Sequence, residues 1–189
     1  EPLQQDGGTE DGIGWIRLSE YDFSRAMTGP VSQVVYPLGP TPEDVALGNT
    51  GLADLLGLDN GLMLAVERTF TPAGTFRVDL YLVDPAGATD VLDEPSLRDT
   101  EFTPATKTHI ANLADLGGTV LNVEAICFGP TLDDGTRTLL YVNDSDFRPG
   151  IPTIFAAIAI EDDGGVIIPA NIMPVPRTWS DELPGASRR

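Results

Sequence analysis

The same order of apolar runs, turns and polar clusters is written twice in this sequence, 71 positions apart. Gly51-Leu52-Ala53-Asp54-Leu55 lies over Asn122-Val123-Glu124-Ala125-Ile126, and each segment runs into a turn, Asp59-Asn60-Gly61 or Asp133-Asp134-Gly135. An apolar run follows, Leu62-Met63-Leu64-Ala65-Val66 in one copy and Thr138-Leu139-Leu140-Tyr141-Val142 in the other. Each run ends in a polar cluster with an aromatic, Glu67-Arg68-Thr69-Phe70 or Asn143-Asp144-Ser145-Asp146-Phe147. A third and a fourth segment come after both. A chain that repeats four short antiparallel strands joined by tight turns is writing propeller blades.

The pattern leaves little room for helix. No stretch longer than about three turns keeps an apolar stripe at helical spacing free of Gly or Pro, and 20 Gly and 16 Pro punctuate the chain throughout. Ten β-rich runs are expected instead: 15–21, 31–38, 52–58, 62–70, 76–83, 107–113, 123–128, 138–142, 153–160 and 166–172. The turn residues Asn60-Gly61, Asp134-Gly135 and Asp162-Asp163-Gly164-Gly165 tolerate the positive φ that hairpins need. The fold class is therefore all-β, with about two and a half blades of an incomplete propeller. The expected division is a half blade over 13–40, blades over 48–115 and 118–175, and a tail over 176–189, all in one domain spanning 1–189. Propellers close with about four to eight blades, so the missing N-terminal blades of the same chain are the expected partner. A single ten-stranded sandwich is the other all-β arrangement.

Charge removes several functions. Lys plus Arg number 11 against 29 Asp plus Glu, a formal net charge of −18, and Lys107 is the single lysine. Such a surface repels phosphate backbones and acidic lipid, which argues against nucleic-acid binding or a polybasic anchor. It is also what a halophilic or marine secreted protein would show whatever its activity. The apolar run Ile154–Ile160 is too short for membrane insertion by a helix. The sole cysteine, Cys127, excludes an internal disulfide and a thiolate zinc site. His109, the sole histidine, falls in the predicted outermost strand, so a Ser-His-Asp triad lacks its base at the mouth. Cys127, Trp15 and Trp179 read as packing residues. The start at Glu1, without Met or a signal-like segment, reads as a processed end or a fragment boundary.

Blade topology sorts the polar residues. Loops from a blade's second to third strand, and from its fourth strand to the next blade, open on one face. That face collects Asn49, Asp54, Glu67, Arg68, Asn122, Glu124, Asn143, Asp144 and Asp146. The DNG and DDG acids fall on the other face and read as turn residues. Glu67-Arg68 reads either as a surface ion pair or as part of the mouth. Glu124 sits in an apolar inner strand, where an unpaired carboxylate is costly unless it meets a cation or donors. Asp144-Ser145-Asp146 is either a loop cap or a ligand cluster. It lacks the spacing of an EF-hand loop. Oxygen ligands without His or Cys favour Ca²⁺, with Mg²⁺ possible, over zinc.

These residues carry a resemblance. Leu64-Ala65-Val66-Glu67-Arg68-Thr69-Phe70, Asn122-Val123-Glu124-Ala125 and Val142-Asn143-Asp144-Ser145-Asp146-Phe147 are similar to a strand end, a strand start and a polar cluster of the bacterial "esterase-like activity of phytase" family. Leu80-Tyr81-Leu82-Val83-Asp84 and Gly87-Ala88-Thr89-Asp90-Val91 fit its third strand and following loop. The resemblance runs over about residues 13–172 and covers the back half of the family's phytase-like propeller. Ala125 stands where the family has Gly, and Asn143 and Ser145 replace neighbouring polar positions.

The resemblance implies export, extracellular or periplasmic, and a hydrolase of phosphate esters acting on a small-molecule substrate. In that reading Glu67, Arg68 and Glu124 are catalytic, and Glu67, Glu124, Asp144 and Asp54 hold the metal. Arg68, Asn122, Asn143 and Asp146 contact substrate. A lactone or carboxyl-ester hydrolase, or a non-catalytic extracellular ligand-binding propeller, are the alternatives. Fold likeness alone does not choose among them.

Overall fold

The computed structural model describes residues 3, 5–7, 14–24, 29–39, 50–117, 120–145, 147, 149–163 and 166–173, with side chains through 160. It is all-β: ten strands and, among the described residues, no helix. The strands are β1 (Gly14–Glu20), β2 (Ser32–Leu38), β3 (Thr50–Gly57), β4 (Met63–Phe70), β5 (Phe76–Asp84), β6 (Thr106–Asn112), β7 (Asn122–Phe128), β8 (Arg137–Asp144), β9 (Ile154–Asp163) and β10 (Val166–Met173). Each expected run is a strand, with ends shifted by at most three residues.

Pairing is antiparallel between sequence neighbours throughout. It yields a two-stranded sheet β1-β2 and two four-stranded sheets, β3-β4-β5-β6 and β7-β8-β9-β10. The two inner hairpins are built alike. Leu58 N–H donates to Leu62 O and Gly61 N–H to Leu58 O; Leu132 N–H donates to Thr136 O and Gly135 N–H to Leu132 O. Gly61 (φ 82°) and Gly135 (φ 88°) occupy the left-handed position that a side chain resists. Asn60 and Asp134 accept the N–H of Leu62 and Thr136, so these polar residues are turn residues as expected.

Strand alternation then sorts the faces. On β4, Leu64 and Val66 join Val78, Leu80, Val123, Leu139, Tyr141 and Ile158 in the core between the second and third sheets. Ala65 faces the other way, packing with Ile16, Tyr36, Leu38 and Val83 between the first and second sheets. Burying each large aliphatic side chain contributes about 1.5–3 kcal/mol. Stacked in this way, the sheets form an incomplete propeller-like fold.

The far face of the first sheet is covered, because the β5–β6 connection folds over it. Val91 and Leu97 pack on Val35 with Trp15 and Phe102, and the Trp15 and Phe102 rings meet edge-on at 5.3 Å. Val91 N–H and Ala105 N–H also donate to Gln33 O and Val35 O, covering the outer edge of β2. A buried ion pair ties down the N-terminal residues. Arg17 grips Asp6 through Nε (2.7 Å) and Nη2 (2.9 Å) and donates to Val91 O, while Leu97 N–H caps Asp6 Oδ1. Cys127 departs from expectation. It is exposed, because the strand turns Ile126 into the core and Cys127 away from it.

Candidate functional site

Between the second and third sheets, the inner strands β3 and β7 lie side by side and carry the same irregularity. Register slips between Leu52 and Asp54 in one, and between Val123 and Ala125 in the other, so Ala53 and Glu124 are the extra residues of matching bulges. A bulge re-aims its extra side chain. Glu124 thereby reaches Arg68, which projects from β4 on the face of Val66, and Arg68 Nη1 bonds both the Glu124 carboxylate and Asn122 Oδ1. Asn122 is buried, but the ion pair is open to solvent: the Arg68 side chain is 30% exposed and that of Glu124 40%. A pair so exposed contributes under about 1 kcal/mol to stability. Asp54 crosses the same seam lower down, accepting Ile126 N–H at 2.7 Å on Oδ2 while Oδ1 takes Leu55 N–H.

Glu67, one residue before Arg68, points the opposite way. It is buried between the first and second sheets, where its Oε1 accepts from Tyr36 Oη (2.6 Å) and Lys107 Nζ (2.6 Å), with Gly39 N–H close by. Lys107 also donates to Gly39 O at 2.6 Å and lies 4.3 Å from the Tyr81 ring centre. Burial pulls the Lys107 ammonium below its ordinary value, against the opposing pull of Glu67. Burial, reinforced by the Glu67 charge, holds the Tyr36 hydroxyl protonated, and Tyr81 is pushed up to about 12, chiefly by burial. Among the described residues, the cation paired with this carboxylate is the chain's single lysine.

Beside Glu67 on the same face, its cross-strand partner Asp79 is also buried. Asp79 accepts two bonds from Arg77, one from Asn112 Nδ2 and one from His109 Nε2 at 3.0 Å. Burial alone would raise this carboxyl, but the bonds from Arg77, Asn112 and His109 outweigh it and leave it below the ordinary carboxylate value. His109 is exposed on the outermost strand of its sheet, as expected. Its bond to Asp79 was not expected, and neither was the Lys107–Glu67 pair. The available signal was a lone lysine in a chain that otherwise uses arginine, which marks Lys107 as special without naming its partner.

The remaining expected residues scatter. Asn143, the structural counterpart of Glu67 in the third sheet, is fully buried; its Oδ1 accepts Leu121 N–H, while among the described residues Nδ2 finds no partner. Asp144 lies opposite Asn122 at the end of β8. Asp146, Asn49 and Trp179 lie outside the described residues. The structure thus brings together Arg68, Asn122 and Glu124, and turns Glu67 to the far side of its sheet.

Glu67, Glu124, Asp144 and Asp54 do not fit Ca²⁺ as one ligand set. Lys107 neutralises Glu67, Arg68 occupies Glu124, and backbone N–H groups take both oxygens of Asp54. Among the described residues no three His, Cys, Asp or Glu side chains gather as a metal site.

Stacked antiparallel four-stranded sheets, with an arginine held half-exposed at the seam between two inner strands, define a propeller-type domain. The chain belongs to the phytase-like family, described as "esterase-like activity of phytase", whose match runs over residues 1–147 and ends just after β8. That membership points to a phosphate-ester hydrolase-like function. No curated protein and no solved structure matches the chain. Among the described residues no helix is long and apolar enough to cross a membrane.

Proposed function

We propose that the protein hydrolyses phosphate esters, with Arg68, Asn122 and Glu124 as the substrate-facing group. Family membership over residues 1–147 is the observation that carries this reading. Arg68 supplies a strongly acidic chain with a fixed cation that has N–H donors to spare. Guanidinium recognises phosphoryl oxygens by paired, charge-assisted bonds and stabilises charge that grows on them as the ester bond breaks. Glu124 and Asn122 hold Arg68 in place through Nη1. Glu67 acts at one remove, by fixing the strand from which Arg68 projects. Extracellular or periplasmic placement belongs to the same reading and rests on the family alone.

Carboxyl-ester hydrolysis is the second reading, favoured by the words of the family description itself. One panel separates the two. Purified protein is offered phenyl phosphate, glycerol phosphate, phytate, a lactone and p-nitrophenyl acetate, with Arg68→Gln as control. Phosphate release that falls at least about tenfold in Arg68→Gln is the expected result. Turnover of p-nitrophenyl acetate or the lactone alone would replace it with the second reading. Binding without turnover of any ester would leave a ligand-binding propeller.

A further inference from the structure

Arg68 does not stand alone at the seam. Its guanidinium carbon lies 5.7 Å from the ring centre of Phe76, within cation–π range. Phe76 is the cross-strand partner of Phe70, and the two rings sit 5.2 Å apart, tilted by 55°. Phe70 and Arg68 are two residues apart on one strand and so share a face. The two phenylalanines differ in what they do for the fold. Phe76 packs against the core between the second and third sheets. Phe70 joins no core cluster and is 40% exposed at the rim.

The guanidinium is only partly used. Both of its bonds, to Glu124 and to Asn122, leave from Nη1, and among the described residues Nε and Nη2 have no partner. A planar cation therefore offers N–H donors on the same strand face as an exposed aromatic ring two residues further along, with Phe76 in contact with both. An oxyanion matches the donors, and a flat apolar body matches the ring.

We propose that this pair selects phosphate monoesters of aromatic alcohols, the phosphoryl group on Nε and Nη2 of Arg68 and the aryl ring on Phe70. The proposal rests on the phosphate-ester reading above and narrows it to a substrate class. Glu124 has a definite place in it. Bonded at Nη1, it sets a negative charge beside the phosphoryl group, so Glu124→Gln, which keeps an oxygen for Nη1, should strengthen anion binding. A metal-ligand role for Glu124 requires the opposite.

The test is calorimetric titration of the full chain with phenylphosphonate and methylphosphonate, alongside phosphate release from phenyl phosphate and glycerol phosphate. Phenylphosphonate should bind about tenfold more tightly than methylphosphonate, the scale of one aromatic contact. Phe70→Ala should erase that preference and leave methylphosphonate affinity unchanged. Arg68→Gln should weaken both ligands, and Glu124→Gln should tighten both. Phe70 is exposed, and an unchanged melting temperature in Phe70→Ala will show that the fold is intact. Equal affinities in the parent protein, no binding of either ligand, or a preference that survives Phe70→Ala would overturn the proposal. Aryl preference in binding without phosphate release from any ester would remove the hydrolase reading and keep the recognition site. Phosphate release without aryl preference would do the reverse.

Discussion

A glutamate and the arginine beside it in sequence serve opposite faces of one sheet, and alternation alone dictates that division. Glu67 is buried with Lys107, so breaking that pair should be expensive. Lys107→Met is expected to destabilise the protein by about 3–5 kcal/mol, because it strands a buried carboxylate. Lys107→Met combined with Glu67→Gln should recover much of that loss, since no uncompensated charge remains. Urea denaturation of the three variants checks this; equal losses in the single and double variants would show that Glu67 does not need Lys107. Calcium affinity should be the same in Glu67→Gln and in the parent protein, measurable by calorimetry. The sequence placed Glu67 and Arg68 together at the mouth because adjacency in sequence looked like adjacency in function. The lysine that neutralises Glu67 comes from β6, 40 positions later, and no local pattern announces a partner at that distance.

Asp6 offers a second test at this scale, through pH. The bond from Arg17 holds its carboxyl below the ordinary 3.8. The unfolded chain therefore takes up the proton first, and Asp6 contributes fully to stability above about pH 4. That contribution fades as the pH falls through the lowered folded value. Asp6→Asn should melt at a lower temperature than the parent protein at neutral pH, and the gap should narrow in acid. A gap of constant size across the acid range would mean that the ionised carboxylate is not what holds residues 5–7 to the sheet.

At the scale of elements, the strands were legible and the joints between sheets were not. Apolar alternation and Asn-Gly or Asp-Gly turns identify all ten strands, because both signals are local. The paired bulges at Ala53 and Glu124 leave no such trace, since a bulge changes only which residue faces which across a ladder. Yet the bulge is what delivers Glu124 to Arg68. Asp54, next to the first bulge, fastens the two inner strands through Ile126 N–H. Asp54→Ala should cost about 1–3 kcal/mol by leaving that N–H without its acceptor, whereas Asp54→Asn keeps an oxygen there and should cost less. Amide hydrogen exchange gives the sharper reading. Ile126 should lose protection in Asp54→Ala while Leu139 and Ile158, deeper in the third sheet, keep theirs. Uniform loss across all three would mean that Asp54 supports the whole sheet and not one seam.

At the scale of the molecule, the edge of β1 beyond Trp15 meets no strand among the described residues. The β5–β6 connection covers the outer edge of β2 and the far face of the first sheet, a role that nothing in its acidic, Pro- and Thr-containing composition foretold. On β1, the bond from Trp15 N–H to Gly7 O shows that 15, 17 and 19 turn their backbone groups away from β2. Among the described residues no strand pairs there. An unpaired edge is a template for another chain, so the 189-residue polypeptide on its own is expected to associate. A net charge of −18 opposes that contact, and salt screens charges on exposed surfaces beyond about 10 Å at 0.1 M. Association should therefore strengthen with ionic strength, the opposite of an interface held by ion pairs. Ser19→Pro removes an outward N–H without touching a β1–β2 ladder bond and should return the chain to monomer. Analytical ultracentrifugation across a salt series decides the matter. A monomer at every salt concentration would mean that this edge is already closed, and a salt-weakened dimer would place the contact on another surface.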